Sequence, residues 1–236
     1  MRRLFVPTFG PSDWRRLLAD PEKQWRSAKS AYESAVAWEA ARSDARGLPP
    51  DVAGLLDTHE AFRGATLLLG IPEHQVPLDG GGHASQTDFW ALLDAPIGVT
   101  SVAVEAKAGE NFDQPVGKWL ADASPNSGKP ARLRQLCSLL NIAEVDAGGC
   151  RYQLLHRPVT ALLEAQRFRL GCALFLVHAF GENDDSLSDY RHWARLLGVE
   201  AEANTVSQVG IRGGVDFWIA WLGASSASDA TVRTAV

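Results

Sequence analysis

The chain has 236 residues, of which 46% are hydrophobic and 22% charged, a composition that excludes a mainly disordered or fibrous protein. Its longest apolar run, residues 170–180, is far shorter than the roughly 20 residues that a helix needs to cross a bilayer. The net charge of −5 excludes nucleic-acid binding through bulk positive charge, but it leaves open a local basic groove.

Helical and extended patterns alternate through the first half of the chain. Residues 27–46 are rich in alanine and free of glycine and proline, with Tyr32 and Val36 at helical spacing, which predicts a helix. The further elements predicted here are a helix over 51–62, an extended segment over 72–78 closed by three glycines, and strands over 86–93 and 99–107.

The second half begins with a predicted insertion over residues 108–149, in which residues 130–140 form a helix with proline in its first turn. The next helix, 151–168, contains Pro158, which either kinks it or marks its true beginning. The remaining predictions are a strand over 170–180 that is buried on both faces, a helix over 185–197, strands over 205–210 and 215–222, and a flexible tail over 225–236.

This order predicts an α/β (mixed α+β) fold in which helices flank a central mixed sheet, forming one domain over residues 1–224.

Three cysteines, Cys137, Cys150 and Cys172, are expected to be buried thiols. Their odd number and the lack of a CxxC pair argue against a zinc site or a disulfide framework and favour a reducing cytoplasm. Residues 1–7 lack the long apolar stretch of a secretory signal, and no membrane partner is expected.

Two acidic residues on neighbouring predicted strands suggest a site. Glu105 and Lys107 are two positions apart on one strand and therefore share a face, and Asp88 converges on them if its strand pairs with theirs. Carboxylates this close repel each other, which Mg²⁺ or Mn²⁺ would relieve, and the lysine could then orient a water or neutralise phosphate charge. These are the parts of metal-assisted phosphodiester hydrolysis.

The alternative is a surface ion pair, because an E-x-K triplet is common in proteins. Residues 102–104 are apolar on both faces, which indicates an interior strand, where charged groups are costly without a partner or a metal.

Glu39 is a further carboxylate in an unusual place, since it shares a helical face with the apolar residues of its helix, among them Tyr32. It either reaches water at the edge of the apolar stripe or contributes to the site.

This arrangement resembles the PD-(D/E)XK nuclease superfamily and, more closely, an uncharacterised bacterial domain family placed near those nucleases. The resemblance lies in the segments DPEKQW (20–25), SQTD (85–88), VEAK (104–107) and RYQLLHR (151–157). It implies a restriction-endonuclease-like α-β-β-β-α-β core with an insertion and a C-terminal α-β-β extension.

The resemblance also implies roles for single residues. Asp88 and Glu105 would bind Mg²⁺ or Mn²⁺, and Lys107 would position the attacking water. Glu39 would add a carboxylate from the first helix, and Gln153 would complete the site, with Tyr152 or His156 near it. The implied activity is metal-dependent hydrolysis of DNA or RNA.

Basic residues cluster along residues 129–169 despite the acidic overall charge. Those predicted to contact nucleic-acid phosphates are Lys129, Arg132, Arg134, Arg151 and Arg157. Trp119 either anchors a helix or stacks on a base, and Gly80–Gly82 with His83 form either a plain turn or a flexible rim over the site.

Three functional hypotheses remain open at this level. The first is the metal-dependent nuclease, and the second is a non-catalytic protein that uses the same fold to bind a protein or a nucleic acid. The third is a hydrolase that uses Asp88 and Glu105 as an acid–base pair and needs no metal. The sequence also leaves open whether the protein forms a homodimer.

Overall fold

The computed structural model describes residues 8–225 apart from residues 122 and 125, so the tail predicted over 225–236 lies, beyond its first residue, outside the described residues. The described helices are α1 (Pro21–Gln24), α2 (Ser30–Ala40), α3 (Pro50–Asp57), α4 (Val116–Ala121), α5 (Lys129–Leu140), α6 (Gln153–Phe168) and α7 (Asp184–Leu196). The described strands are β1 (Thr66–Val76), β2 (Ser85–Asp94), β3 (Thr100–Lys107), β4 (Cys172–Phe180), β5 (Thr205–Arg212) and β6 (Val215–Ala224).

These strands form one mixed sheet in the order β1-β2-β3-β4-β6-β5. At its centre β3, β4 and β6 run parallel, whereas the β1–β2, β2–β3 and β5–β6 pairs are antiparallel. β4 is buried along its whole length, as its continuous apolar sequence predicts, because helices cover both faces of the sheet. The predicted class, a mixed sheet flanked by helices, is confirmed, and so is the expected order of elements.

The two faces of the sheet belong to two separate apolar clusters. On one face α5, α6 and α7 pack over Ala103 of β3. On the opposite face α2 and α3 pack over Val104, the next residue of the same strand. Because side chains alternate along a strand, Glu105 and Lys107 share with Ala103 the face that α6 covers.

Helix α2 is shorter than the helix predicted over residues 27–46. Ala28 has a φ of 60°, which a right-handed helix does not accommodate, so α2 begins only at Ser30. After Ala40 the chain continues as a single 3₁₀ turn at Ala41–Ser43 and then becomes extended. β1 begins six residues before the extended segment predicted over residues 72–78. Residues 67–69 of β1 are three consecutive leucines without the alternation that indicates a strand, and the ladder with β2 has a register shift there.

The predicted insertion contains α4, α5 and a short turn at Ala147–Gly149. The α5 prediction is confirmed, and its apolar stripe packs in the same cluster as α6. α6 continues through Pro158, so the interpretation that Pro158 marks its beginning is wrong. Proline here removes one intrahelical hydrogen bond near the helix start, and the packing of the buried face offsets that loss.

The three cysteines are free and buried, as expected. None of the described helices is long and apolar enough to cross a membrane.

Candidate functional site

The end of the β2–β3 ladder brings Asp88 and Glu105 together. The last paired residues of this ladder are Phe89 and Val104, so Asp88 and Glu105 occupy the next position on each strand. The Asp88 carboxylate accepts a hydrogen bond from the Ala106 backbone N–H, with 2.6 Å between Oδ2 and N. Asp88 is therefore fixed against β3 beside Glu105, which is the convergence that the sequence predicted.

Glu105 lies between two cations. Lys107 Nζ donates to Glu105 Oε1 at 2.8 Å, and Arg157 Nε lies 2.8 Å from Glu105 Oε2. Glu105 and Lys107 are only 2% and 3% exposed, so the alternative of a surface ion pair is wrong. A pair this deeply buried is stable only because each charge meets an opposite charge at hydrogen-bonding distance.

Gln153 joins this group from the first turn of α6. Its Oε1 accepts hydrogen bonds from Lys107 Nζ at 3.2 Å and from the Asp113 backbone N–H at 3.0 Å. The amide therefore holds the lysine ammonium in place and ties the loop after β3 to α6. His156, on the same helix, is turned away from the group, because its Nδ1 pairs with Ser85 Oγ at 2.8 Å.

A cavity of about 410 Å³ opens in front of these side chains. Its floor consists of Asp88, Glu105, Lys107, Gln153 and Arg157, and its rim includes Lys23, Lys29, Glu110 and Asp113. Acidic and basic groups thus alternate around a space large enough for a phosphodiester group and its neighbours.

The charges around the cavity shift the protonation of both carboxyls. Burial, together with the nearby charge of Glu105, raises the pKa of Asp88 to about 7. Burial also favours the neutral form of Glu105, but Arg157 and Lys107 outweigh it and lower the pKa of that carboxyl. In the absence of another cation, Glu105 is therefore ionised at neutral pH, whereas Asp88 exchanges a proton near pH 7.

Sequence reasoning missed a third acidic residue, Glu73 of β1. Its neighbours pair with Phe89 and Thr87 in the β1–β2 ladder, which places Glu73 opposite Asp88. Gln86 Nε2 donates to Glu73 Oε2 at 2.7 Å, whereas Oε1 is buried without a hydrogen-bond partner. Burial and the Asp88 charge raise the pKa of Glu73 well above its ordinary value.

Glu73, Asp88 and Glu105 thus form a carboxylate row across three adjacent strands. Only the register of β1 against β2 reveals this row, because nothing within residues 72–78 singles out their one acid. The backbone gives a second sign, since Glu73 has a φ of 53° in the middle of a strand.

The expectation that Glu39 contributes to the site is wrong. Glu39 is buried, and its Oε1 accepts a hydrogen bond from Trp14 Nε1 at 2.8 Å, while Arg42 lies 3.6 Å from Oε2. The reason is the position of α2, which packs through Trp38 against Phe89 on the face of the sheet opposite α6. The alternative in which Glu39 reaches water is also wrong, because the residue is only 8% exposed.

The predicted phosphate-binding residues separate into different places. Arg157 lines the cavity, whereas Arg151 forms an ion pair with Asp189 at 2.8 Å and Arg134 is exposed on α5. Of these five residues, Arg157 is the one that lines the acidic cavity, and the phosphate-binding role of all five stays a prediction.

Lys129 and Arg132 line a second cavity of about 380 Å³, together with Gly80–Gly82, His83 and Trp119. Their charged groups are held by backbone oxygens, with Lys129 Nζ 2.6 Å from Trp119 O and Arg132 Nε 3.2 Å from Asp79 O. The glycine segment therefore borders this cavity rather than the acidic site.

Trp119 does not offer a free ring to a base. It stacks on Tyr152 with 4.2 Å between the ring centroids, and Lys129 Nζ lies 5.3 Å from its centroid. Its role as a packing anchor is confirmed.

Comparison with known proteins identifies the family. A family model described as a domain of unknown function, DUF6946, matches residues 7–226, which is most of the chain. The chain belongs to the DUF6946 family. No curated protein and no solved structure matches this chain.

Whether this DUF6946 chain can hold a metal depends on its carboxylates. No group of three or more histidine, cysteine or acidic residues in the described part of the chain has the spacing of a ready metal site. Asp88 and Glu105 nevertheless offer the oxygen donors that Mg²⁺ and Mn²⁺ prefer. Glu73, opposite Asp88 in the β1–β2 ladder, has a buried Oε1 without a hydrogen-bond partner. The donor chemistry fits a hard divalent cation, which would have to compete with Arg157 for Glu105.

Proposed function

We propose that this protein is a divalent-cation-dependent phosphodiesterase that hydrolyses the backbone of DNA or RNA. The observation that carries the proposal is the convergence of Asp88, Glu105, Lys107 and Gln153 in one cavity. The resemblance of SQTD and VEAK to the PD-(D/E)XK nucleases supports it, as does the order of helices and strands around the sheet.

In the proposed reaction, the oxygen of a water molecule forms a bond to phosphorus, and the bond between phosphorus and the leaving ribose or deoxyribose oxygen breaks. The proton lost by the water ends on that leaving oxygen. Mg²⁺ or Mn²⁺ held by Asp88 and Glu105 would supply Lewis-acid stabilisation of the phosphate. Lys107 Nζ, oriented by Glu105 and Gln153, would hydrogen-bond the water and neutralise the charge that develops on the phosphate oxygens.

The rim of the cavity suits a polyanionic substrate. Lys23 and Lys29 line it and are exposed, so their ammonium groups can reach phosphates on either side of the bond that is cut. These two lysines act as single contacts to phosphates, so the proposal does not require a basic surface on a chain whose net charge is −5.

The test is cleavage of labelled single- and double-stranded DNA and RNA in Mg²⁺, Mn²⁺ or EDTA. We expect cleavage with a divalent cation, none in EDTA, and a loss of at least about 100-fold in Lys107→Ala, because the transition-state charge loses its partner. Glu39→Gln is the matched control, since that residue is buried on the other face of the sheet, and it should cleave like the wild type.

Two outcomes would contradict the proposal. The absence of cleavage with either cation would remove it. Cleavage that persists in EDTA and is lost in Asp88→Asn would instead support acid–base hydrolysis without a metal.

A second candidate is a non-catalytic protein that binds a protein or nucleic-acid partner. The observation that favours it is that Lys107 and Arg157 engage both oxygens of Glu105, so the charges are already balanced without a metal. In that case, Asp88→Asn would leave partner binding unchanged, and the cavity would serve only the stability of the fold.

A further inference from the structure

Arg157 is the cation that faces the carboxylate row. It lies on α6 four residues after Gln153 and therefore on the same side of that helix, and it lines the cavity. Its Nε is 2.8 Å from Glu105 Oε2, with the arginine side chain 15% and the glutamate side chain 3% exposed. The guanidinium thus lies inside the site rather than at its rim.

The nearby cations are shared unevenly among the three carboxyls of the row. Both nearby cations, Lys107 and Arg157, contact Glu105. Among the described residues, the Asp88 carboxylate accepts a hydrogen bond from the Ala106 N–H alone, and the Glu73 carboxylate accepts one from the Gln86 amide alone. A cation bound at Asp88 would therefore stabilise the ionised form of a carboxyl that neither Lys107 nor Arg157 pairs with among the described residues.

The contact between Arg157 and Glu105 is short but incomplete. The tightest arginine–carboxylate pairs make two parallel N–H···O bonds. Here Arg157 Nε and Nη1 are both buried without a hydrogen bond of good geometry, although the charges lie close together. The arginine is held by charge rather than by a bidentate hydrogen-bond fork, and its N–H groups remain available to another acceptor.

We propose that Arg157 is the resident counter-ion of the carboxylate row and that a divalent cation, on binding Asp88 and Glu105, displaces its guanidinium into the cavity. This inference rests on the proposed function, and it specifies which group neutralises the metal-binding carboxylates when no metal is bound. The physical reason is that two cations at the same carboxylate oxygen repel each other. The released guanidinium then faces the space where a substrate phosphate would lie, with its N–H donors unpaired.

The direct test is calorimetric titration of Mn²⁺ into the wild type, Arg157→Gln and Arg151→Gln. Arg157→Gln should bind Mn²⁺ at least about fivefold more tightly, because no ion pair has to be broken first. Arg151→Gln is the matched control, since it removes an arginine from the same helix start whose partner is Asp189, and its affinity should equal that of the wild type. Equal or weaker binding by Arg157→Gln would overturn the inference.

A second measurement needs no variant, because Arg157→Gln leaves Glu105 with one partner fewer and could fold poorly. Phenylglyoxal modifies accessible arginines, and the modified peptides are quantified by mass spectrometry. Addition of Mn²⁺ to the wild-type protein should raise the modification rate of Arg157 and leave that of Arg151 unchanged. An unchanged rate at Arg157 would contradict the displacement.

The outcomes separate this inference from the proposed function. Metal-dependent cleavage with equal Mn²⁺ affinity in the wild type and Arg157→Gln would overturn the counter-ion role and support the nuclease. Displacement of Arg157 by Mn²⁺ without cleavage of any nucleic acid would support the counter-ion role and overturn the nuclease. The absence of Mn²⁺ binding in both proteins would overturn both.

Discussion

Asp88 shows how one residue can carry a functional signal in its protonation. Its carboxyl is held by a backbone N–H, yet burial and the neighbouring Glu105 charge raise its pKa to about 7 from the ordinary 3.8. A carboxyl that loses its proton near neutral pH destabilises the folded state there. Such a cost is typical of residues retained for function rather than for stability.

The raised pKa predicts a pH-dependent stability difference between the wild type and Asp88→Asn. Below about pH 4 the carboxyl is protonated in both the folded and unfolded states, so it contributes nothing. Between about pH 4 and pH 7 the folded state retains a proton that the unfolded state has lost, so wild-type stability falls as the pH rises.

Asp88→Asn, which cannot ionise, should therefore be more stable than the wild type at pH 8, by on the order of 1–4 kcal/mol, and by less at pH 5. Urea unfolding of both proteins in EDTA at the two pH values measures this difference. The same difference at pH 5 and pH 8 would show that Asp88 does not titrate in this range.

The other acids show where residue-level reasoning works and where it fails. Asp88 and Glu105 were predictable, because strand alternation fixes the face on which each side chain lies. Glu39 was rightly recognised as unusual, but its partner Trp14 is 25 positions away in sequence, and no local pattern indicates that contact. Glu73 was missed because its significance arises only from the residue opposite it in another strand.

At the scale of elements, the glycine segment after β1 and the start of α5 approach each other closely. A Cβ added at Gly128 would lie 1.8 Å from the Gly80 backbone oxygen, and one added at Gly80 would lie 2.1 Å from the Gly128 oxygen. Arg132 and Gln135 of α5 hold the same segment by hydrogen bonds to Asp79. Gly80 and Gly128 thus allow the segment to dock against the start of α5.

This contact predicts that Gly128→Ala is destabilising, by about 1–3 kcal/mol, because the clash involves backbone atoms that cannot rotate away. The φ of −73° at Gly128 suits alanine, so the effect is steric and does not come from backbone strain. Gly54→Ala is the control, because Gly54 lies on the exposed face of α3 and a Cβ added there would have nothing within 4 Å. This substitution should stabilise the protein by up to about 1 kcal/mol. Thermal unfolding of both variants tests this, and equal stabilities would contradict the docking.

Among the elements, the long and strongly patterned ones were predictable and the edges were not. β4 and α5 follow their sequence patterns closely, because each buries a continuous or periodic apolar set. The early part of β1 was missed, since residues 67–69 are three consecutive leucines that lack the period-2 alternation of a strand, and the register shifts there. α6 begins two residues later than the predicted start at residue 151, and it continues through Pro158 because the packing of its buried face outweighs the local effect of the proline.

At the scale of the whole molecule, metal binding should increase stability. A cation that binds only the folded state at 100 times its Kd adds about 2.7 kcal/mol, which for a chain of this size raises Tm by about 5–10 °C. We expect this shift with Mn²⁺ for the wild type and for Glu39→Gln, and a much smaller one for Asp88→Asn. Differential scanning calorimetry measures it, and an equal shift in Asp88→Asn would exclude that residue from the metal site.

The sequence by itself determined the class of fold, the order of the main elements and the pairing of Asp88 with Glu105 and Lys107 on one face of adjacent strands. These features follow from periodicity and alternation, which are local properties of the chain. Only the tertiary structure decided that Glu73 completes the carboxylate row and that Glu39 lies on the opposite face of the sheet. It also decided that, among the described residues, Arg157 is the one predicted phosphate contact that lines the acidic cavity. These depend on strand register and helix placement, which are set by contacts between residues distant in sequence.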